Sequence, residues 1–178
     1  ADRRRLDALA DQLGQAVAKA LMHSAMAHAA LHDPLTGDPN RAMFERAVHH
    51  ELTVAGPAGP PPSVVGPAET VAVLMLDLDE FKEVNDTLGH HVGDRALLEF
   101  AERLRHMLEP ADLLARFGGD EFAILARRDG VDAMRAFADR ILARSHVPLA
   151  LDGYDVVLPV SVGVAIVTRD DRDAAGVL

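Results

Sequence analysis

The chain has 178 residues, of which 49% are hydrophobic and 26% charged, so wholesale disorder is excluded and one domain, with or without a helical arm, is expected. The formal net charge of −10 excludes a generic nucleic-acid binder, because affinity for phosphates comes from clustered cations, but it leaves room for a nucleotide that arrives with magnesium. The absence of cysteine excludes disulfides and thiolate metal sites and fits a reducing, cytoplasmic location. No apolar stretch is long enough to span a bilayer, so no membrane contact is predicted for this fragment.

The first predicted element is a long helix over residues 2–31, because Ala is abundant there and only Gly14 interrupts the stretch. A seven-residue frame places small and apolar side chains on the two positions of one seam. These are Leu6, Leu13, Ala20 and Ala27 on one position and Ala10, Val17, Ser24 and Leu31 on the other. The stripe alone leaves two interpretations open: an amphipathic helix packed on its own domain, and a linker helix in a parallel two-stranded coiled coil.

Helix-breaking residues, chiefly Pro and Gly, are dense between residues 33 and 40 and end that helix. A loop rich in Gly and Pro is predicted over 55–67. Apolar residues at helical spacing predict helices over 41–52, 92–108 and 131–145. Short apolar or alternating runs predict a strand over 71–76, a hairpin of 113–117 with 121–125, and a second hairpin of 149–151 with 154–167. This order predicts an α/β or α+β domain with a mixed central sheet flanked by helices.

Two carboxylate clusters follow strand-like segments. Asp77 and Asp79 come directly after the apolar strand, on one face because strand side chains alternate, and Asp120 and Glu121 lie at the tip of the first hairpin. Grouped carboxylates repel one another and resist desolvation, and a hard divalent cation such as Mg²⁺ or Mn²⁺ removes that cost. The alternative is that Asp77 and Asp79 only cap the next loop. By spacing alone the two interpretations are equally supported.

The pair Gly118-Gly119 precedes the second acidic cluster. Glycine lets the backbone take positive φ and approach a ligand closely, although an ordinary tight turn is its commoner use. The neighbours favour a functional turn, since Arg116 comes before the pair and the acidic residues follow it.

A polar segment between Asp79 and the helix at 92–108 contains further candidates. Asn85 and Asp94 could read a purine edge, the amide by paired hydrogen bonds and the carboxylate by accepting from N–H groups. Lys82 could meet a phosphate as a point charge. Each has an ordinary alternative, because Asn is a common turn former and an Asp in the first turn of a helix is favoured by the helix dipole.

Three separated motifs and a late strand carry a resemblance to a known family. The string Arg116-Phe117-Gly118-Gly119-Asp120-Glu121-Phe122 is similar to the signature of the GGDEF family of diguanylate cyclases. The segment from Asp77-Leu78-Asp79-Glu80-Phe81-Lys82 through Asn85-Asp86 and Gly89-His90 to Gly93-Asp94 resembles that family's first strand and guanine-binding block. Asp33-Pro34-Leu35-Thr36-Gly37 resembles its opening motif, with Asp38 where Leu is usual, and Ser161-Val162-Gly163-Val164-Ala165 resembles a late strand.

The resemblance implies a fold like the palm of nucleotide cyclases and polymerases. It also implies condensation of two GTP molecules into cyclic di-GMP and two pyrophosphates, at the two-fold interface of a homodimer. It divides the chain into an N-terminal linker or coiled-coil helix, residues 1–32, and a cyclase domain, residues 33–178, truncated at its C-terminus. The linker helix would form the dimer and relay a signal from an upstream sensor domain.

Residue roles follow from the same resemblance, position by position. The ligands of Mg²⁺ or Mn²⁺ would come from Asp77, the Leu78 carbonyl, Asp120 and Glu121. The catalytic residues would be Asp120, Glu121 and Lys82. The residues that bind GTP would be Phe81, Lys82, Asn85, His90, Asp94, Gly118 and Gly119.

Two departures from the family pattern have consequences. Many members carry an Arg-x-x-Asp product-inhibition site nine residues before the first motif Gly, and here that window reads Glu109-Pro110-Ala111-Asp112. Asp112 is a remnant of that site, and weak or absent feedback inhibition is expected. The chain also ends without the late helix whose Lys and Arg touch the terminal phosphates in the family.

Two other functions remain as alternatives to the cyclase. The first is a non-catalytic GTP-binding module that regulates a larger cyclic di-GMP phosphodiesterase or sensor protein. The second is a dimerisation and relay segment whose own site is idle. The intact Asp77 and Asp120-Glu121 argue against the first, while the second predicts helix-mediated dimers without magnesium-dependent turnover.

Overall fold

The structure is a computed structural model, and it describes residues 14–19, 21–22, 26, 28–55 and 69–167. Its helices are α1 (Arg41–Ala55), α2 (Phe81–Leu88), α3 (His90–Arg105) and α4 (Val131–Ser145). Its strands are β1 (Glu69–Leu78), β2 (Leu113–Gly118), β3 (Glu121–Asp129), β4 (Leu149–Leu151), β5 (Tyr154–Val156) and β6 (Val160–Ile166). The predicted fold class, a sheet flanked by helices, is confirmed.

The main sheet has the order β2-β3-β1-β6. Every pairing between neighbouring strands in it is antiparallel, whereas the sequence predicted a mixed sheet. The reason lies in the strand order. The helical connection between β1 and β2 makes those two strands parallel, but β3 inserts between them, so the two parallel strands are never neighbours.

The two faces of the sheet bury different residues, because side chains alternate along β1. Leu74 and Leu76 face a core shared with α3 and α4, where Phe100 meets Phe122 edge to face at 5.5 Å. Val73 belongs to the second core, on the α1 side. Asp77 follows the odd-numbered residues and therefore shares the α1 side of the sheet.

The second predicted hairpin is only partly present. Its turn joins β4 to β5 in a separate two-stranded sheet, and the chain then leaves that sheet and pairs β6 with β1. Pro159 lies between β5 and β6, and proline cannot donate to a strand ladder. The prediction of one continuous strand over 154–167 is therefore wrong.

The described part of the N-terminal helix does not pack on the domain. Residues 14–19, 21–22, 26 and 28–29 are helical, and the other residues of the predicted helix are outside the described set except for 30–31 at its end. Val17, Leu21 and Met26 are 57%, 65% and 68% exposed. Of the two interpretations of this helix, packing on its own domain is therefore not seen at these positions. No helix in the described part of the chain is long and apolar enough to cross a bilayer.

The turn that follows this helix is fastened to the domain at several points. Asn40 caps α1, since its Oδ1 accepts from the Met43 N–H at 3.1 Å, and its side-chain amide donates to the Ala30 carbonyl at 3.0 Å. Asp38, the departure from the family pattern, is buried and accepts from Arg105 at 2.9 and 3.0 Å through its two oxygens. An acid at this position is accommodated because α3 supplies its cation.

Candidate active site

The two predicted carboxylate clusters meet at one end of the sheet. The β1–β3 register places Asp77 opposite Glu121, and the Leu78 N–H donates to the Asp120 carbonyl at 3.2 Å. Partial burial, followed by the negative charges of Asp120 and Asp79, raises the pKa of Asp77 above its ordinary value. The acids are therefore close enough to repel one another.

The acids at this end of the sheet differ in their hydrogen-bond partners. Asp79 Oδ1 accepts from the Ser161 hydroxyl at 2.8 Å, and the Asp79 N–H donates to the Pro159 carbonyl at 2.9 Å. Asp77 and Asp120 have no hydrogen bond to their carboxylates and no cationic partner among the described residues. Ser161 was not predicted as a site residue, because its pairing with Asp77 joins positions that lie far apart along the chain.

Arg116 anchors the turn that presents Asp120. Its Nε and Nη2 donate to the Gly119 carbonyl at 3.2 and 2.7 Å, and its Nη1 donates to Asp33 Oδ1 at 2.8 Å. Gly118 and Gly119 have φ values of 122° and 57°, which L side chains rarely adopt. One buried guanidinium thus connects the turn that carries Asp120 to Asp33, where the N-terminal helix gives way to the domain.

A cavity of about 280 Å³ lies against this turn. Its lining consists of Asp86 and six of the predicted GTP-binding and catalytic residues, namely Phe81, Lys82, Asn85, His90, Gly119 and Asp120. Gly118 and Asp94 are not part of the lining. Asp94 is exposed on the first turns of α3, beside the packing contact between α3 and Asn85.

Glu121 and Asp77 line a different cavity, of about 340 Å³, with Ser161 and Gly163. The Asp120 turn therefore separates the base-reading candidates from the second acid of the motif. The structure brings the predicted residues to one end of the sheet but distributes them over two neighbouring cavities.

The first residues of α2, Phe81 and Lys82, line the first cavity. Glu80 takes a left-handed conformation, φ 59°, immediately before Phe81, and this turns the chain sharply from β1 into the helix. Helix N-termini leave backbone N–H groups that bind anions, and exposed Lys82 lies in that first turn. This arrangement suits a phosphate group.

The acids at this end of the sheet offer oxygen ligands, which divalent cations such as Mg²⁺ prefer. Among the residues that the structure describes, no group of three or more His, Asp or Glu side chains converges on one point. Mg²⁺ usually binds through one or two carboxylates and substrate phosphates and keeps several waters. Asp77 and Asp120, two carboxylates with no cationic partner in the part of the chain that the structure describes, fit a Mg²⁺ or Mn²⁺ ion that arrives with a nucleotide.

Glu109 and Asp112, the ends of the window predicted to be the remnant of an inhibitory site, both pair with Arg128. Arg128 Nη1 and Nη2 donate to Asp112 Oδ1 and Oδ2 at 2.9 and 2.7 Å, and the Asp112 side chain is fully buried. The Arg128 guanidinium also lies over the Phe137 ring, 4.0 Å from its centroid, while Glu109 Oε1 is 3.5 Å from Arg128 Nε. Asp112 is therefore already paired, and Glu109 adds negative charge beside it.

If the domain makes cyclic di-GMP, as the family resemblance implies, we expect added product to leave the initial rate of its synthesis unchanged at saturating GTP. Glu109 repels the product's phosphates, and Asp112 cannot turn outward without leaving the buried Arg128 charge uncompensated. The measurement is the initial rate at several product concentrations. Non-competitive inhibition that disappears in Glu109→Ala would show that this window still binds the product.

The antiparallel sheet, its flanking helices and the Gly-Gly-Asp turn define the class of domain. The chain belongs to the family described as "Diguanylate cyclase, GGDEF domain", which matches residues 30–178. Diguanylate cyclase TpbB from Pseudomonas aeruginosa is 42% identical over 147 residues, which cover 81% of this chain and 32% of the relative. The crystal structure of the TpbB GGDEF domain has a TM-score of 0.69 at 38% identity and covers 80% of this chain and 84% of that chain.

A second relative carries a different activity in its name. Cyclic di-GMP phosphodiesterase NbdA from Pseudomonas aeruginosa is 34% identical over 174 residues, which cover 98% of this chain and 20% of the relative. The chain thus spans a third or less of the length of both curated relatives. Membership of the family is shown, while the activity of the whole protein requires a proposal.

Proposed function

We propose that this domain condenses two GTP molecules into cyclic di-GMP with release of two pyrophosphates, in the presence of Mg²⁺ or Mn²⁺. The observation that carries the proposal is the pair of carboxylates on Asp77 and Asp120, which repel one another and have no cationic partner among the described residues. Asp120 also lines the cavity that contains Asn85 and Lys82. The intact motif and the identity to TpbB support the same activity.

In this mechanism the residues mainly position the two GTP molecules and neutralise the charge of their phosphates, as phosphoryl transfer requires. Asp77, Asp120 and the Leu78 carbonyl would hold the metal, with Glu121 beside them. The bound cation would supply charge neutralisation on the phosphates and a lower pKa for the attacking 3′-hydroxyl. Asp120 or Glu121 would accept that hydroxyl proton.

The remaining site residues would fix the substrate. Lys82 and the backbone at the start of α2, around Phe81, would meet the phosphates. Asn85 and Asp94 would read the guanine, with His90 closing the cavity against the base. Gly118 and Gly119 would let the chain approach the nucleotide closely.

One domain would hold one GTP, so the reaction needs two domains that face each other. We infer that residues 1–32 form a parallel coiled coil and that the cyclase domain comprises 33–178. The exposure of Val17, which occupies a predicted seam position and is 57% exposed, supports this, since an apolar seam residue that does not pack on its own domain is available to a second helix. An upstream sensor domain would act by changing how the helices pair.

A second candidate function is a GTP-binding regulatory module of a cyclic di-GMP phosphodiesterase. The observation that favours it is the 34% identity to NbdA across nearly the whole chain. In that case the cavity beside Asp120 would bind GTP without turning it over.

The deciding experiment incubates the domain with its natural flanking sequence, GTP and Mg²⁺, and separates the products by chromatography. Formation of cyclic di-GMP supports the cyclase. GTP binding without product, both in the natural chain and in a chain fused to a parallel dimeric zipper, overturns the cyclase and supports the regulatory module.

A further inference from the structure

Gly93 occupies an unfavourable place for a glycine. It lies in the fourth position of α3, it is buried, and its N–H donates to the Gly89 carbonyl at 3.2 Å as in an ordinary helical turn. Glycine is the least favourable residue in a helix interior apart from proline. The backbone at Gly93 does not take positive φ, so conformation does not explain the choice.

Space explains it. A Cβ on Gly93 would lie 2.0 Å from Asn85 Oδ1 and 2.9 Å from Asn85 Cγ, both far inside contact distance. Phe81 Cζ, at 3.4 Å, is the next nearest atom. The carboxamide of Asn85 thus lies directly against the α3 backbone at the one position that has no side chain.

This contact joins the two predicted base-reading residues. Asn85 lines the cavity beside Asp120, and Asp94 is the residue that follows Gly93 in α3. Any side chain at 93 must displace the Asn85 carboxamide, because the atoms in the way are the flexible end of that side chain rather than backbone. The fold can accept this displacement, but the orientation of the amide cannot be kept.

We propose that Gly93 is a positioning residue for guanine recognition, acting through Asn85. Its missing side chain is the space in which the Asn85 carboxamide rests, and this sets the amide at a fixed place relative to Asp94. The inference rests on the proposed function, because it assumes that Asn85 reads the base of GTP.

The test is a double-mutant cycle of Gly93→Ala and Asn85→Ala, with GTP affinity and thermal midpoint measured for all four proteins. In the natural background Gly93→Ala should weaken GTP binding about tenfold or more, the scale of a lost amide–base pair. In the Asn85→Ala background it should change GTP affinity less than about twofold, because no amide remains to be displaced. There it should also raise the thermal midpoint, since Ala replaces Gly in a helix with room for its Cβ.

The outcomes separate this inference from the function on which it rests. Equal losses of GTP affinity in both backgrounds, or none in the natural background, would overturn the role of Gly93 while the cyclase stands. A natural chain that binds no GTP would overturn the proposed function and the guanine role together. The nucleotide-free thermal midpoints report on the Gly93–Asn85 contact in every case, and an equal effect in both backgrounds would contradict it.

Discussion

Replacement of Asp120 by Ala should lower the rate of cyclic di-GMP synthesis about a thousandfold or more, the scale of loss when a charged group is removed from a phosphoryl-transfer site. Asp120 sits in the turn held by Arg116, beside Asp77 and against the cavity lined by Lys82 and Asn85. Its loss would remove one of the two carboxylates proposed to hold the divalent cation. The measurement is product formation from GTP and Mg²⁺ under single-turnover conditions.

The same variant should not be less stable without ligands. Asp120 contributes to the raised pKa of Asp77, so at neutral pH the ionised pair disfavours the folded state. Asp120→Ala removes that repulsion, and its thermal midpoint at pH 7 should equal or exceed that of the natural chain. Asp139→Ala, which changes an exposed acid on α4, should leave both the rate and the midpoint unchanged. Full activity in Asp120→Ala would remove this carboxylate from the mechanism.

Sequence patterns located the residues of the candidate site better than the elements that hold them. Asp77 follows an apolar run and Gly118-Gly119 precedes an acidic pair, and both are local signals. That the two clusters meet depends on the pairing of β1 with β3, which the family resemblance implied and the register shows. The roles assigned to these acids stay predictions.

Helix α2 had no comparable signal. Asn85, Asp86 and Thr87 are typical of turns, and an isolated eight-residue helix is marginal in water. It forms because Phe81 is buried and because the helix packs on α3, where Gly93 lets Asn85 approach. Such stabilisation comes from tertiary contacts, which a local pattern does not contain.

The role of Arg116 was hidden for a similar reason. An arginine in a strand-like run has no local partner that marks it as an anchor, and its acid, Asp33, is 83 positions away in the sequence. The sequence identified Arg116 only as a neighbour of the Gly-Gly pair. The structure makes it the link between the turn that carries Asp120 and the end of the N-terminal helix.

The second large effect is expected from this link. Asp33→Asn should lower the free energy of unfolding by about 3 kcal/mol at pH 7, the cost of leaving a buried charge without its partner. The side chains of Arg116 and Asp33 are only 9% and 10% exposed. Asp33 Oδ1 also accepts from the Thr36 N–H and hydroxyl, at 2.8 and 3.1 Å. The measurement is urea-induced unfolding of both proteins.

The pH dependence of that difference identifies its cause. Burial alone would raise the pKa of Asp33, but hydrogen bonds from Thr36 and Arg116, and the charge of Arg116, hold it below its ordinary value of 3.8. A lowered carboxyl pKa contributes stability above the ordinary value, and this is lost as pH falls through the folded-state value. The difference between natural chain and Asp33→Asn should therefore be constant from pH 7 to about 5 and shrink below about 3.8.

A matched exposed pair provides the control. Glu45→Gln breaks the ion pair between Glu45 and Arg41, whose side chains are 43% and 63% exposed, and should change stability by less than about 0.5 kcal/mol because solvent screens such pairs. If Asp33→Asn were as mild as Glu45→Gln, the buried guanidinium would not need its acid, and Arg116 would hold the Gly119 carbonyl unaided. A large loss confined to Asp33→Asn would instead mean that the Asp120 turn and the end of the N-terminal helix are stabilised as one unit.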